Sequence, residues 1–250
     1  FFTDTSLAEH LKHRPAFKLV VLTGAGISAE SGIKTFRDNN GLWENHPVET
    51  VATPEGFALN PTLVHRFYNQ RRQQLLSAEV LPNNAHMALA KLEKALGERF
   101  TLITQNVDDL HERAGNQNVI HMHGELLKAK CSISNQRFIV HDDLTSQQTC
   151  TCCKKTGTLR PDIVWFGEVP YHMEKIENVL MQCDLFISIG TSGNVYPAAG
   201  FVRAANAVGA YAIEINLAPS QTQTAFDEHH YGPATQILDD FVNKLLEVNT

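Results

Sequence analysis

Three groups of residues in this 250-residue chain have types and spacing that suit chemistry. The first is Gly24-Ala25-Gly26-Ile27-Ser28-Ala29, which follows the apolar, β-branched run Lys18–Leu22 and opens a helix-like segment. Gly24 and Gly26 permit a tight turn and close backbone approach to a pyrophosphate, Ala29 fills a small third position, and a following helix would offer free N–H groups to the anion. The alternative is that the glycines serve only a tight turn between strand and helix. The second group stands at the ends of other strand-like runs. It comprises Gln105-Asn106-Val107-Asp108 with His111, then Gly190-Thr191-Ser192, then Asn216. Amides, hydroxyls and a carboxylate there suit the ribose hydroxyls and carboxamide of a nucleotide, because open α/β sheets gather ligands beyond the carboxyl ends of their strands. Asn106 and Asp108 could instead cap a short helix. The third group is His121-Met122-His123-Gly124: a histidine at a strand end can act as a general base near neutral pH, a metal-ligand reading competes, and a satisfied structural histidine is the commoner fate.

A dehydrogenase would place a second strand after the first helix, ending about twenty residues on in an acid that binds the adenine ribose. Residues 35–50 contain no β-like run. Glu44 has the offset but no strand to carry it, so the segment reads as a long lid or binding loop. Hydride transfer is disfavoured accordingly.

The elements that must position these groups follow from periodicity. Strand-like runs at 17–22, 100–104, 184–190 and 211–216 alternate with helical patterns at 61–76, 83–96, 171–182, 197–208 and 236–247. This alternation predicts an α/β fold, a doubly wound Rossmann-like parallel sheet formed by 1–124 and 161–250. Residues 125–160 break the rhythm and read as a small inserted zinc-binding module, with 38–78 expected to add a helical part to the small domain. At 43% hydrophobic residues the chain can bury a substantial core. No apolar run approaches the roughly twenty residues that span a bilayer, and the first residues carry no signal-peptide pattern. A net charge of −6 without a basic cluster argues against a nucleic-acid partner. Four of the five cysteines fall within 131–153, which suggests a metal knuckle in a reducing compartment and a cytoplasmic location.

Gly24-Ala-Gly26-Ile-Ser with Gly32-Ile-Lys-Thr-Phe36-Arg37, then Thr104-Gln-Asn-Val-Asp108, His123-Gly124, Val164-Trp-Phe-Gly-Glu168 and Gly190-Thr-Ser192, in that order, resemble the sirtuins, NAD-dependent protein lysine deacylases, and bacterial members most. The resemblance implies that NAD is consumed. The acyl-lysine carbonyl attacks C1′ of the nicotinamide ribose, nicotinamide leaves, and His123 acts as base on a ribose hydroxyl while the acyl group migrates to the sugar. By the same resemblance Asn106 and Asp108 position the nicotinamide ribose and carboxamide, and Phe36 shields the reactive carbon, with Arg37 in the same loop. Gly24, Ala25, Gly26, Ile27, Trp43, Gln105 and Val107 join the NAD site, and Gly190, Thr191, Ser192, Asn216, Leu217, Ala218 and Ala234 lie on the adenosine side. Val164, Phe166, Gly167 and Glu168 would pair with the substrate backbone as an added strand. The implied partners are acylated lysines of proteins.

The cysteines depart from the family's paired C-x-x-C knuckle. Cys131, Cys150 and Cys153 are the expected zinc ligands, but Ser134 stands where the second cysteine belongs. Either Cys152 supplies a fourth thiolate or the site is three-coordinate with another ligand. Cys183 reads as an ordinary buried thiol. In the helix at 61–76, capped by Asn60, the apolar stripe of Val64, Phe67, Tyr68 and Leu75 also carries Arg71. A snorkelling arginine is one reading. The other, from the resemblance, is that Tyr68 and Arg71 form the Tyr-x-x-Arg pair with which desuccinylating sirtuins hold the distal carboxylate of succinyl- or malonyl-lysine. The activity expected is removal of succinyl, malonyl and acetyl groups. A mono-ADP-ribosyltransferase and a non-catalytic NAD sensor are the rivals.

Overall fold

The computed structural model describes residues 5–34 and 41–248. In chain order the strands are β1 (Leu19–Thr23), β2 (Leu42–Trp43), β3 (His46–Pro47), β4 (Phe100–Thr104), β5 (Val119–His121), β6 (Gly124–Cys131), β7 (Arg137–Ile139), β8 (Leu159–Ile163), β9 (Leu185–Ile189), β10 (Tyr211–Asn216) and β11 (Glu228–Tyr231). The α-helices are α1 (Thr5–Lys12), α2 (Ala25–Ala29), α3 (Val48–Val51), α4 (Pro54–Leu59), α5 (Pro61–Leu75), α6 (Asn84–Leu96), α7 (Leu110–Ala114), α8 (Met173–Met181), α9 (Phe201–Ala207) and α10 (Ala234–Val248).

Six strands form a wholly parallel sheet in the order β11-β10-β9-β1-β4-β5. The alternation of side chains along β1 decides its two faces. Leu19 and Val21 pack with Leu89 and Leu92 of α6, Leu7 and Leu11 of α1, and Leu238, Val242 and Leu245 of α10. Val20 and Leu22 pack on the opposite side with Ile176 and Leu180 of α8 and Phe201 and Val202 of α9. Burial on both faces explains why these strands read as continuous apolar runs, each buried Leu or Ile contributing about 1.5–3 kcal/mol.

A three-stranded antiparallel sheet, β7-β6-β8, interrupts the winding. A third core joins α3 and α5 to it through Val51, Val64, Phe67 and Tyr68 against Leu126, Ile163 and Trp165. Two expectations need correction. The stretch 35–50, read as free of β structure, contains the β2–β3 pair, two residues per strand, turned at Glu44-Asn45. Neither strand is long enough to leave an apolar signature. The edge strand β11, Glu-His-His-Tyr, escaped the sequence reading because it has no apolar run, as did α1.

A candidate active site at the switch point of the sheet

The chain leaves β1 for β4 on one side of the sheet and occupies β9 on the other, so a crevice opens at the carboxyl ends of β1 and β9. The two loops there are stitched by Gly24 N–H to the Ile189 carbonyl and Gly26 N–H to the Gly190 carbonyl, both 2.9 Å. A Cβ on Gly24 would stand 2.6 Å from the Gly190 oxygen, and one on Gly26 2.7 Å from Gly190 Cα. Gly24 is extended (φ −125°, ψ −172°). These glycines are therefore required by loop-on-loop contact, a different cause from the tight turn inferred from the sequence. The helix that follows is only five residues long and Ala29 is exposed, so Ala29 does not serve as a small helix–strand packing residue.

The crevice continues into a cleft of about 1220 Å³ that reaches the junction with the small sheet. That exceeds the roughly 300–1,000 Å³ typical of a single small-ligand pocket, and so suits two substrates at once. Of the candidate residues, Gly24, Ala25, Gly26, Gln105, Asn106, Val107, Asp108, His123, Gly190, Thr191 and Ser192 line it, as do Trp43, Arg71, Val164, Phe166, Gly167 and Glu168. Ile27 is fully buried in the core behind it. Asn216 lies off the cleft wall and donates from Nδ2 to the Thr191 carbonyl at 2.7 Å, which braces the loop after β9. Leu217 and Ala218 are exposed beyond the end of β10, and Ala234 is buried at the start of α10; none of the three is on the wall. Phe36 and Arg37 lie outside the described residues.

His123 is held with Nδ1 3.2 Å from the Gln105 carbonyl. A carbonyl can only accept, so Nδ1 carries the proton and Nε2 keeps its lone pair. Burial pushes the imidazole below its usual pKa, against the opposing effect of the Gln105 bond, so the ring is neutral at pH 7. Asn106 donates from Nδ2 to the Gly24 carbonyl at 2.9 Å, tying the loop after β4 to the loop after β1. Asp108 is almost fully buried. It accepts from Ser28 Oγ at 2.8 Å and from the Leu110 N–H at 3.0 Å, and burial raises its carboxyl above the usual range in spite of them.

Behind this layer stand three more histidines: His121 and His111, which the sequence singles out, and His86, which it does not. His121 has Nδ1 3.2 Å from the Asn106 carbonyl and Nε2 3.0 Å from Glu112, with Glu125 at 3.8 Å. Burial opposes its charge, but Glu112, Glu125 and the Asn106 carbonyl outweigh burial and raise its pKa, so His121 holds its second proton more tightly than a free imidazole does. His111 sits 2.9 Å from Thr23 Oγ1, and His86 3.4 Å from Ser28 Oγ; burial lowers both, His86 to about 4. Helical spacing around residue 86 carries His86 into the core, which a motif search has no means to flag.

On the small-sheet side, Glu168 makes a two-pronged pair with Arg160, at 2.8 and 2.9 Å, and accepts from the Trp165 N–H at 2.9 Å. Burial alone would raise its carboxyl; Arg160 outweighs that and holds it below the usual range. Arg160 in turn lies over the Trp165 ring, 3.6 Å from its centroid. The N–H groups of Val164, Phe166 and Glu168 bond to the carbonyls of His123, Ala52 and Trp165. Most N–H groups of the segment expected to pair with a substrate backbone are thus already bonded within the chain. A peptide laid along 164–168 must supply most of the donors itself, beside the exposed Phe166 and Val169 side chains.

Asn60 caps α5, accepting from the Leu63 N–H at 3.2 Å. Tyr68 is fully buried: its hydroxyl donates to the Val51 carbonyl at 2.8 Å and accepts from Trp165 Nε1 at 2.9 Å, and it does not line the cleft. Arg71 does line it, stacked on Phe67 at 5.0 Å. Its Nε and Nη1 are buried with no hydrogen-bond partner among the described residues, and Nη1 lies 3.8 Å from Glu44. The fully buried charge on this helix is the neighbour Arg72, which donates to the Leu126 carbonyl at 3.1 Å and to Asn69 at 2.8 Å. Spacing at four-residue intervals, 64, 68 and 72, was the available signal for it.

At the far end of β6 the thiols of Cys131, Cys150, Cys152 and Cys153 lie within 4.8 Å of one another. Cys131 and Cys153 are 3.8 Å apart, the separation of about 3.8 Å that zinc–sulfur bonds of about 2.3 Å give in a tetrahedron. Cys152 thus joins the three expected thiols, while Ser134 Oγ lies 3.2 Å from its sulfur. Bonds from the Ser134 N–H and hydroxyl bring Cys131 down to about 5, which favours the thiolate a metal needs. The donor set fits one structural zinc ion. Cys183 is buried against the Leu180 carbonyl, and burial raises its thiol to about 11.

Residues 24–197 match the model of the Sir2 family. An NAD-dependent protein deacylase of Pasteurella multocida (strain Pm70) is 61% identical over 92% of this chain and 98% of its own length. One from Escherichia coli (strain K12) is 57% identical over 99% of this chain and 88% of its own. Among solved structures, a Sir2 homologue in complex with NAD superposes with a TM-score of 0.86 at 37% identity, covering 99% of this chain and 96% of the other. A Sir2 protein bound to a propionylated peptide gives 0.76 at 29% identity, covering 97% and 96%. The family-model match over most of the chain, together with relatives more than 50% identical along nearly its whole length, means that this chain belongs to the Sir2 family.

Proposed function

We propose that this chain is an NAD-dependent protein lysine deacylase that transfers the acyl group to ADP-ribose, releases nicotinamide, and accepts acidic as well as neutral acyl groups. The observation that carries the reading is the neutral His123, its lone pair left free by the Gln105 carbonyl, in the same cleft as Asn106 and Asp108. NAD supplies the electrophilic ribose carbon. His123 takes a proton from a ribose hydroxyl, Asn106 and Asp108 orient the nicotinamide half, and Gly190, Thr191 and Ser192 receive the adenosine half. Arg71 faces the acyl end of the cleft as a guanidinium with unmet donors, and a distal carboxylate would meet them. Tyr68 supports this from behind, fixing Trp165 and the α3 backbone. The four-thiol cluster holds zinc as a structural brace, in keeping with a reducing, cytoplasmic setting. No described helix is long and apolar enough to cross a membrane.

The test is to incubate the protein with NAD and acetyl-, succinyl- or malonyl-lysine peptides, following nicotinamide and peptide mass. Nicotinamide release that depends on an acyl-peptide, with matching acyl-ADP-ribose, is expected. Release with labelled protein in place of deacylated peptide would indicate a transferase, and no release a sensor.

A further inference from the structure

Glu44 is the acid found at the dehydrogenase-like offset, yet the fold puts it at the other end of the cleft. It sits in the turn between β2 and β3, its carboxylate 3.8 Å from Arg71 Nη1, and both side chains are mostly buried, 14% and 16% exposed. At that distance the two charges neutralise each other without a hydrogen bond. Arg71 Nε and Nη1 accordingly stay without acceptors among the described residues.

The turn is costly for such a side chain. Glu44 and Asn45 both have positive φ, 47° and 64°, the backbone that two-residue hairpins reserve for Asn and Gly. The hairpin is nonetheless fixed on α5. Trp43 packs edge-on to Phe67 at 5.1 Å and to Tyr68 at 5.9 Å, and His46 packs on Phe67 at 5.3 Å while its Nδ1 bonds the Glu44 carbonyl at 2.8 Å. A glutamate in a strained turn, clamped on both sides, thus points at a guanidinium that it does not satisfy.

We infer that Glu44 is the resident counter-ion of Arg71, which an acidic acyl group must displace, so that Glu44 sets the ratio of acidic to neutral acyl-lysine use. With acetyl-lysine the Arg71–Glu44 pair stays closed and no buried charge is left alone. A succinyl carboxylate offers Arg71 the two-pronged bond that Glu44 does not make, but it meets a like charge until Glu44 moves aside. The inference rests on the proposed role of Arg71 as the receptor of acidic acyl groups.

The test uses the whole protein and the variants Glu44→Gln, Glu44→Gly, Arg71→Met and Arg71→Met with Glu44→Gln. Glycine suits the positive φ, so one variant removes the carboxylate while easing the turn. Calorimetry gives Kd for succinyl- and acetyl-lysine peptides, and nicotinamide release gives kcat/KM. Both single Glu44 variants should tighten succinyl-peptide binding about threefold to thirtyfold relative to acetyl-peptide. That gain should vanish when Arg71 is Met, since the effect runs through the guanidinium. Unchanged or weaker succinyl binding in both Glu44 variants, or a gain that persists without Arg71, overturns the inference. If Arg71→Met alone leaves the succinyl-to-acetyl ratio intact, the role of Arg71 fails and this inference with it. If Arg71→Met lowers the ratio and the Glu44 variants do not raise it, only the counter-ion assignment fails.

Discussion

Replacing His123 by alanine tests the chemistry most directly. The side chain contributes two separable things: a hydrogen bond to the Gln105 carbonyl at 3.2 Å and a free Nε2 lone pair in the cleft. Losing the bond costs about 1 kcal/mol of stability, since the Gln105 carbonyl faces a wet cleft and regains water. Losing the base costs about 10²- to 10⁴-fold in turnover, or roughly 2.7–5.4 kcal/mol of barrier at about 1.36 kcal/mol per decade. The two differ enough to be told apart: a structural histidine would move the melting temperature and leave kcat nearly alone. The pH profile adds a second signature. The base must be neutral, and burial sets its pKa below 6.5, so kcat/KM of the native protein should be level at alkaline pH and fall on the acid side along a single ionisation whose midpoint lies below 6.5. The assay is acyl-peptide-dependent nicotinamide release from pH 5 to 9, with NAD affinity by calorimetry. A folded His123→Ala protein that keeps more than about a tenth of native turnover, or that retains the acid limb, refutes the assignment.

Arg71→Met should lower kcat/KM for succinyl-lysine peptides by roughly ten- to a hundredfold, the worth of a charged hydrogen bond of about 1.5–3 kcal/mol, and acetyl-lysine peptides by much less; equal losses would make Arg71 structural. Metal analysis should find about one zinc per chain, and Cys152→Ser should give it up to a chelator more readily and melt lower, whereas a variant that holds zinc equally well removes Cys152 from the ligand set. Glu112→Gln breaks the pair that raises His121, whose side chain is 8% exposed against 35% for Glu112. Discounted for that exposure, the pair contributes about 1 kcal/mol, or a loss of about 2–4 °C. The sign follows from a raised folded pKa. The stabilisation is fully present below 6.5 and disappears as pH rises through the folded value, so the melting difference should be seen at pH 6 and shrink at pH 9; a difference independent of pH would show that His121 is not charged.

The parallel sheet was legible because β1, β4, β9 and β10 are buried on both faces, and strands of that kind write themselves as apolar, β-branched runs. β11 carries Glu228, His229 and His230 at the sheet edge, and α1 is a short helix whose Leu7 and Leu11 alone face the core. Neither has the periodicity that a window of residues can detect. The β2–β3 hairpin is shorter still, and it forms because Trp43 and His46 find Phe67, a contact that exists only after α5 has docked.

The site divides along the same line. Residues that a local motif places on the cleft wall, such as His123, Asn106 and Gly190, could be picked out from spacing. Those whose role is set by a partner far along the chain could not. Tyr68 and Arg71 share an i, i+3 spacing, yet Tyr68 turns to Val51 and Trp165 while Arg71 faces the cleft and Glu44. Three residues on a helix span 300°, leaving the two side chains about 60° apart, and an edge of the core lies within that angle. One charge therefore lands on the cleft wall, where no described residue gives its Nε or Nη1 a hydrogen-bond acceptor and Glu44 stands 3.8 Å away. The proposed use of acidic acyl groups rests on those donors, and so on a geometry that only the folded chain displays.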